Sequence, residues 1–194
     1  MLPTVEEIRR SLHGAVLLAR GDPGGMGWFD LSFDGFWRSF AGPLLAAPLY
    51  ALLAAERYLR SGHEGPVGPL LASEVAAYLL DVAALPLLAI LLVRFLALGP
   101  RYVPLVVATN WAALLQAAAF LAAVVVGGAI PPLRGLLPLL VWLAMVFYQW
   151  FVVRTALGST GNVAAAVVAL NFVVTLFAYR LVTVAFGLGG AGPS

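Results

Sequence analysis

The 194-residue chain has no cysteine and no lysine, and all eleven of its basic residues are arginine. Without cysteine there are no disulfides, no thiol catalysis and no thiolate metal sites. The missing lysine, beside abundant Ala, Leu, Gly and Val, fits a GC-rich bacterial genome better than selection for guanidinium chemistry. Only His13 and His63 carry imidazole, and they lie in separate connecting segments, so no histidine-built metal site is expected. Charge is scarce at 10% of residues, and no acid follows Asp81: residues 1–81 hold all the carboxylates, residues 82–194 hold arginines alone. No HExxH, Walker or GxSxG motif occurs. No catalytic residue, cofactor site or metal ligand is assigned, so an enzyme is not expected. A formal net charge of +2 gives no sign of nucleic-acid binding.

What the chain has in excess is apolar length. With 62% hydrophobic residues and a mean hydropathy of +0.98, it lies outside the range of soluble domains. The expected architecture is all-α: a polytopic membrane protein with a five-helix transmembrane bundle, preceded by an N-terminal amphipathic interfacial helix. At about 20 residues per span, apolar runs place spans at about 39–56, 70–98, 103–128, 136–154 and 163–187. Residues 1–36 form the interfacial segment, 37–187 the bundle and 188–194 a flexible glycine-rich tail. The first span is short and contains Pro43 and Pro48, so a re-entrant hairpin is its alternative. Residues 57–69 read as a loop.

At the N-terminus, Thr4 and Glu7 are spaced as a reciprocal capping box. Val5, Ile8, Leu12, Ala15, Val16 and Ala19 recur at helical spacing opposite Arg9, Arg10 and His13. Such a helix is too polar to span, and its preferred position is flat on the membrane with Arg9 and Arg10 near lipid phosphates. The alternative is a helix packed against the protein's own cytoplasmic loops. A breaker-rich turn follows at 21–27, and then WFDLSFDGFWRSF (28–40), whose Trp28 and Trp37 read as an interfacial aromatic belt.

Three charges lie inside spans: Glu74, Asp81 and Arg180. Intramembrane charges are costly and normally face protein or water with a partner. Glu74, Tyr78 and Asp81 share a helix face, and counting depth from one side puts Arg180 between the two acids. The expectation is that the second and fifth spans are neighbours, with Arg180 paired to Asp81 or Glu74. That pair either fixes helix register or lines a proton or solute path; the remaining alternative is separate snorkelling of Glu74 and Arg180. A second, inner polar group comprises Asn110, Gln149, Asn171 and Thr175, with Gln116 a further buried amide; interhelical amide bonds of this kind serve mostly as glue. Ala119, Ala123 and Gly127 form a small-residue ladder suited to close helix approach, in this chain or in a partner or second copy.

Arginine counting sets seven on the N-terminal side against three on the other, which favours a cytoplasmic N-terminus and an external C-terminus. The layout over residues 28–187, with an aromatic lead-in and five closely spaced spans, resembles the YIP family of five-span membrane proteins, named for binding Rab/Ypt GTPases. FDLSFDGFWRSF stands where that family carries its D-L-Y-G-P signature, which is absent. The resemblance implies a bacterial inner-membrane protein and supplies no functional residues. Taken together, these features are read first as a non-enzymatic membrane organiser or partner-binding scaffold subunit. A small transporter or channel component using Glu74, Asp81 and Arg180 is the alternative.

Overall fold

A computed structural model describes residues 2–62, 67–95 and 99–186, so the tail expected at 188–194 lies outside the described residues. Among those described, the chain forms seven α-helices and no strand: α1 (Val5–Ala19), α2 (Phe33–Ser39), α3 (Ala41–Ser61), α4 (Val67–Phe95), α5 (Tyr102–Ala129), α6 (Leu136–Leu157) and α7 (Gly161–Ala185). Five helical segments are long and apolar enough to cross a membrane, beginning with the joined α2–α3 stretch Phe33–Ser61. The chain is a multi-pass helical membrane protein. Outward side chains such as Leu79, Leu87, Val125, Phe147 and Phe177 are exposed, which suits lipid rather than water.

The boundaries agree with the hydropathy reading except at the first loop. There α3 continues to Ser61 and is stopped by Gly62 in the left-handed region (φ +61°), so residues 57–61 are helix rather than loop. Pro48 sits within α3 without ending it, and the hairpin alternative falls: the segment is one continuous helix. Residues 96–98 and 187, assigned to span ends, lie outside the described residues.

The central helix is α5, which packs against α3, α4 and α6 and also against α1 and α2. α7 packs on α4 and α6, so α4, α5, α6 and α7 close a ring, with α3 packed on α5 and joined to α4 through Tyr78 and Glu74. Apolar surface gives helices little reason to associate within lipid, so close backbone packing must hold them. Gly42 provides it between α3 and α5: a β-carbon there would collide with the Asn110 carbonyl. Gly127, from the predicted ladder, serves the chain's own α5–α6 connection, since a β-carbon there would lie 3.2 Å from the Leu133 carbonyl oxygen. The buried core gathers at the N-terminal end of the ring, around Trp111 and Leu105 of α5, Val152 and Val153 of α6, Val167 of α7 and Leu18 of α1.

The N-terminal helix packs on this core, against α5 and α6. Its buried residues are Ser11, Gly14, Ala15 and Leu18, while Val5 and Ala19 of the expected apolar face are exposed. The buried face is rotated because close approach selects small residues over large apolar ones: a β-carbon on Gly14 would come within 2.7 Å of the Gly25 carbonyl oxygen. Tyr148 of α6 secures the helix by donating its hydroxyl to the Ala15 carbonyl at 3.0 Å.

Candidate functional site: a polar cavity at mid-span

Asp81 is the fourteenth residue on from the start of α4 and the fourteenth before its end, so it lies ~21 Å from either terminus at 1.5 Å per residue. Gln116 falls at the same level in α5 and Thr175 in α7, each about 15–21 Å from its nearer helix end. These levels coincide at the centre of the ring. A cavity of about 370 Å³ opens there, and Asp81, Asn110, Gln116, Gln149, Asn171 and Thr175 all contribute to its wall. Rings of Tyr50, Tyr78, Phe120, Trp142 and Phe172 make up much of the remainder.

Most of the polar groups are paired. Gln116 Nε2 donates to Gln149 Oε1 at 2.9 Å, linking α5 to α6. Asn110 Nδ2 donates to Ser39 Oγ at 2.9 Å, and Ser39 passes its own hydrogen to the Phe36 carbonyl at 2.7 Å. The Tyr78 hydroxyl donates to the Pro43 carbonyl at 2.5 Å, and its ring lies 5.0 Å from that of Tyr50. These bonds act as the interhelical glue expected of buried amides and hydroxyls.

Two groups are not satisfied in this way. Asp81 receives one neutral hydrogen bond, from Thr175 Oγ1 to Oδ1 at 3.1 Å, and it remains exposed despite its depth. Asn171 Oδ1 is buried and has no hydrogen-bond partner. No arginine or histidine lines the cavity among the described residues.

The expected pairing of Arg180 with Asp81 or Glu74 is not what forms, although α4 and α7 are neighbours as anticipated. Glu74 is paired with Arg57 of α3 at 2.8 Å, and Asp81 takes Thr175. Arg180 is exposed and forms no ion pair among the described residues. Helical phase gives the reason. Arg180 follows Thr175 by five residues, ~140° around the helix at 100° per residue, so turning Thr175 toward Asp81 turns Arg180 away. The charge cluster of Glu74, Asp81 and Arg180 therefore separates, and Asp81 joins the inner polar group instead. Tyr50 of α3, whose ring meets that of Tyr78, carried no signal in the sequence, and only the helix packing reveals it.

The interfacial residues assemble into a cap on the N-terminal end. Thr4 Oγ1 accepts the Glu7 amide at 3.2 Å, so half of the capping box forms. The Glu7 carboxylate does not reach back; it accepts Arg38 Nε at 3.0 Å, while Arg38 also donates to Asp30 at 2.6 Å. One guanidinium of α2 thus ties together α1 and the connecting segment. The Ser32 backbone amide, with the Ser32 hydroxyl and Arg38 adding to it, holds the Asp30 carboxyl below the usual carboxylate range. Arg9 pairs with Glu6 on the surface at 2.7 Å and Arg10 is exposed. Trp28 stacks edge-on against His13 at 4.4 Å, and Trp37 does so against Phe36 at 5.2 Å; both indoles remain exposed.

Fold and site together define a class: a multi-pass helical membrane protein whose five spanning helices line an open mid-span cavity, largely aromatic and apolar, with one carboxylate in its wall. No protein-family model, curated protein or solved structure matches the chain.

Proposed function

We propose that this chain is a non-enzymatic protein of a bacterial inner membrane that binds a small cation or protonatable solute in its mid-span cavity, as a transporter or channel component. In this reading the N-terminus is cytoplasmic and the C-terminus external, as the arginine distribution favours. The observation that carries it is Asp81: a lone carboxylate, at the middle of its helix, lining the cavity, with one neutral donor and no cation beside it among the described residues. A charge so far from bulk water is costly unless neutralised by a proton or a bound cation, and carboxylates of this kind mark ion and proton routes. Glu74, matched by Arg57 at the far end of the bundle, acts as a structural ion pair and not as part of the route.

Charge movement in proteoliposomes on a solid-supported membrane tests this. Jumps in pH, sodium or methylammonium are expected to give a transient current in at least one case. That current disappears in Asp81→Asn and persists in Glu74→Gln. Currents absent in every case, or indifferent to Asp81, contradict the reading.

A membrane organiser or partner-binding subunit, the reading to which the YIP-type layout belongs, is the second possibility. It is favoured by the exposed Leu2, Val5, Trp28, Phe33 and Trp37 of the N-terminal cap, an apolar rim of the kind found at interaction surfaces. Stoichiometric recovery of a partner in mild detergent, lost on removing those rings, would support it over the first.

A further inference from the structure

We infer that the ligand of the mid-span cavity is an organic monocation: a protonated amine carrying an apolar body about the size of one aromatic ring. This rests on the cation-site reading above and narrows it to a chemical class. Three acceptors belong to residues that line the cavity and lack a matching donor. Asp81 Oδ1 takes Thr175, which leaves the second carboxylate oxygen free. Asn171 Oδ1 is buried and unpartnered, one helical turn from Thr175 on the same face of α7. The Val82 carbonyl, on a residue that also lines the cavity, has Pro86 at the position of its helical donor and so lacks that bond. A surplus of acceptors around one carboxylate calls for a singly charged group with several N–H donors, and an ammonium supplies them.

Size and lining argue against a bare ion. A cavity of about 370 Å³ has room for roughly a dozen waters at ~30 Å³ each. No group of three or more His, Cys, Asp or Glu able to hold a metal ion occurs among the described residues. Around the carboxylate stand the faces and edges of Tyr50, Tyr78, Phe120, Trp142 and Phe172, surfaces that favour an apolar body and attract a cation through their π-electrons. Trp142, Val146 and Phe172 line the cavity and also face outward, with the two rings meeting edge-on at 6.4 Å. Anions of the same shape meet the Asp81 charge and are rejected.

Calorimetric titration of the purified full-length protein with phenethylammonium, sodium and phenylacetate tests the assignment. Phenethylammonium is expected to bind saturably, and phenylacetate not at all. Asp81→Asn should weaken the amine at least about 10-fold, and Asn171→Leu about 3- to 10-fold, the range for losing a charge-assisted hydrogen bond. If Asp81→Asn does not accumulate, Phe172→Ala carries the test: amine affinity should fall several-fold in this outward-facing variant. Amine binding unchanged in these variants overturns the assignment. Asp81-dependent binding of sodium or release of a proton, without amine binding, overturns the amine assignment while the cation site stands. No Asp81-dependent binding of any probe overturns both.

Discussion

The N-terminal end of the bundle and its middle both bury polar side chains, and they treat them in opposite ways. At the N-terminal end most have a protein partner: Arg38 with Glu7 and Asp30, Tyr148 with the Ala15 carbonyl, Asn110 with Ser39; the Ser11 hydroxyl, packed in the α1 contact, is the exception. In the middle, Asp81 has a single neutral donor and Asn171 Oδ1 has none. Buried polar groups in native proteins are overwhelmingly satisfied, so a deficit needs an explanation. The set at the end, ion pairs included, is structural. The deficit in the middle includes a carboxylate and lies beside a cavity, which is where the proposed ligand would supply the missing donors. The lesson is that a membrane carboxylate is informative for what it fails to bond as much as for its depth.

Substitutions can break this contrast, and the largest effects belong to the packed end. Gly42→Leu forces a side chain into the Asn110 carbonyl; overpacking of this kind costs about 3 kcal/mol or more, and the protein should fail to accumulate in membranes. Arg38→Ala leaves two carboxylates, only partly exposed, without their cation. It should loosen the cap by about 2 kcal/mol, read as faster proteolysis ahead of Phe33 with the spans intact. The same cap responds to acid. Because Asp30 is held below its ordinary value of 3.8, its contribution is complete above that value and fades only as pH falls through the depressed one. Protease resistance of the cap should therefore be flat from neutral pH down to about 4 and drop below it.

Smaller effects follow in the remaining substitutions. Tyr148→Phe removes one buried hydrogen bond to α1 and should cost about 1 kcal/mol by thermal melting in detergent. Asp81→Asn removes no ion pair, so its melting temperature should match or exceed the wild type even though ligand-dependent behaviour is lost. Arg180→Gln, on an exposed and unpaired side chain, should stay within about 0.5 kcal/mol of wild type. A large Arg180 effect would revive its pairing with Asp81 and undo the contrast.

Much of the architecture was legible because apolar length is a one-dimensional signal: five spans and their order follow from run lengths, whereas the adjacency of α4 and α7 was expected from an Arg180 pairing that does not form and rests instead on contacts such as Thr175 with Asp81. The position of α1 was not legible. Its helical periodicity is real, but Ser11 and Gly14 show that the buried face was chosen for close approach, which hydrophobicity does not register. In the site, Asn110, Gln149, Asn171 and Thr175 were found as a group, and Asp81 was assigned to the wrong neighbours. Counting from both ends of α4 places it level with Gln116 and Thr175, and the phase of α7 already set Arg180 apart from Asn171 and Thr175. Depth counted from one side favoured a charge partner over a polar one. Tyr50 and Ser39 depend on which helices meet, which no single-chain pattern records, whereas the freed Val82 carbonyl follows from Pro86 four residues on.

The chain's lack of cysteine makes the decisive measurement simple, since any introduced thiol is the only one present. Single variants Asn171→Cys and Phe177→Cys, in native membranes, are treated with a permanently charged, water-soluble cationic thiol reagent. The account predicts modification of Asn171→Cys, at the cavity, faster than of Phe177→Cys, on the outward face of the same helix, and a further slowing when Asp81 is changed to asparagine. An unreactive thiol at 171, or equal rates at both positions, would mean that no accessible, negatively charged cavity exists at mid-span.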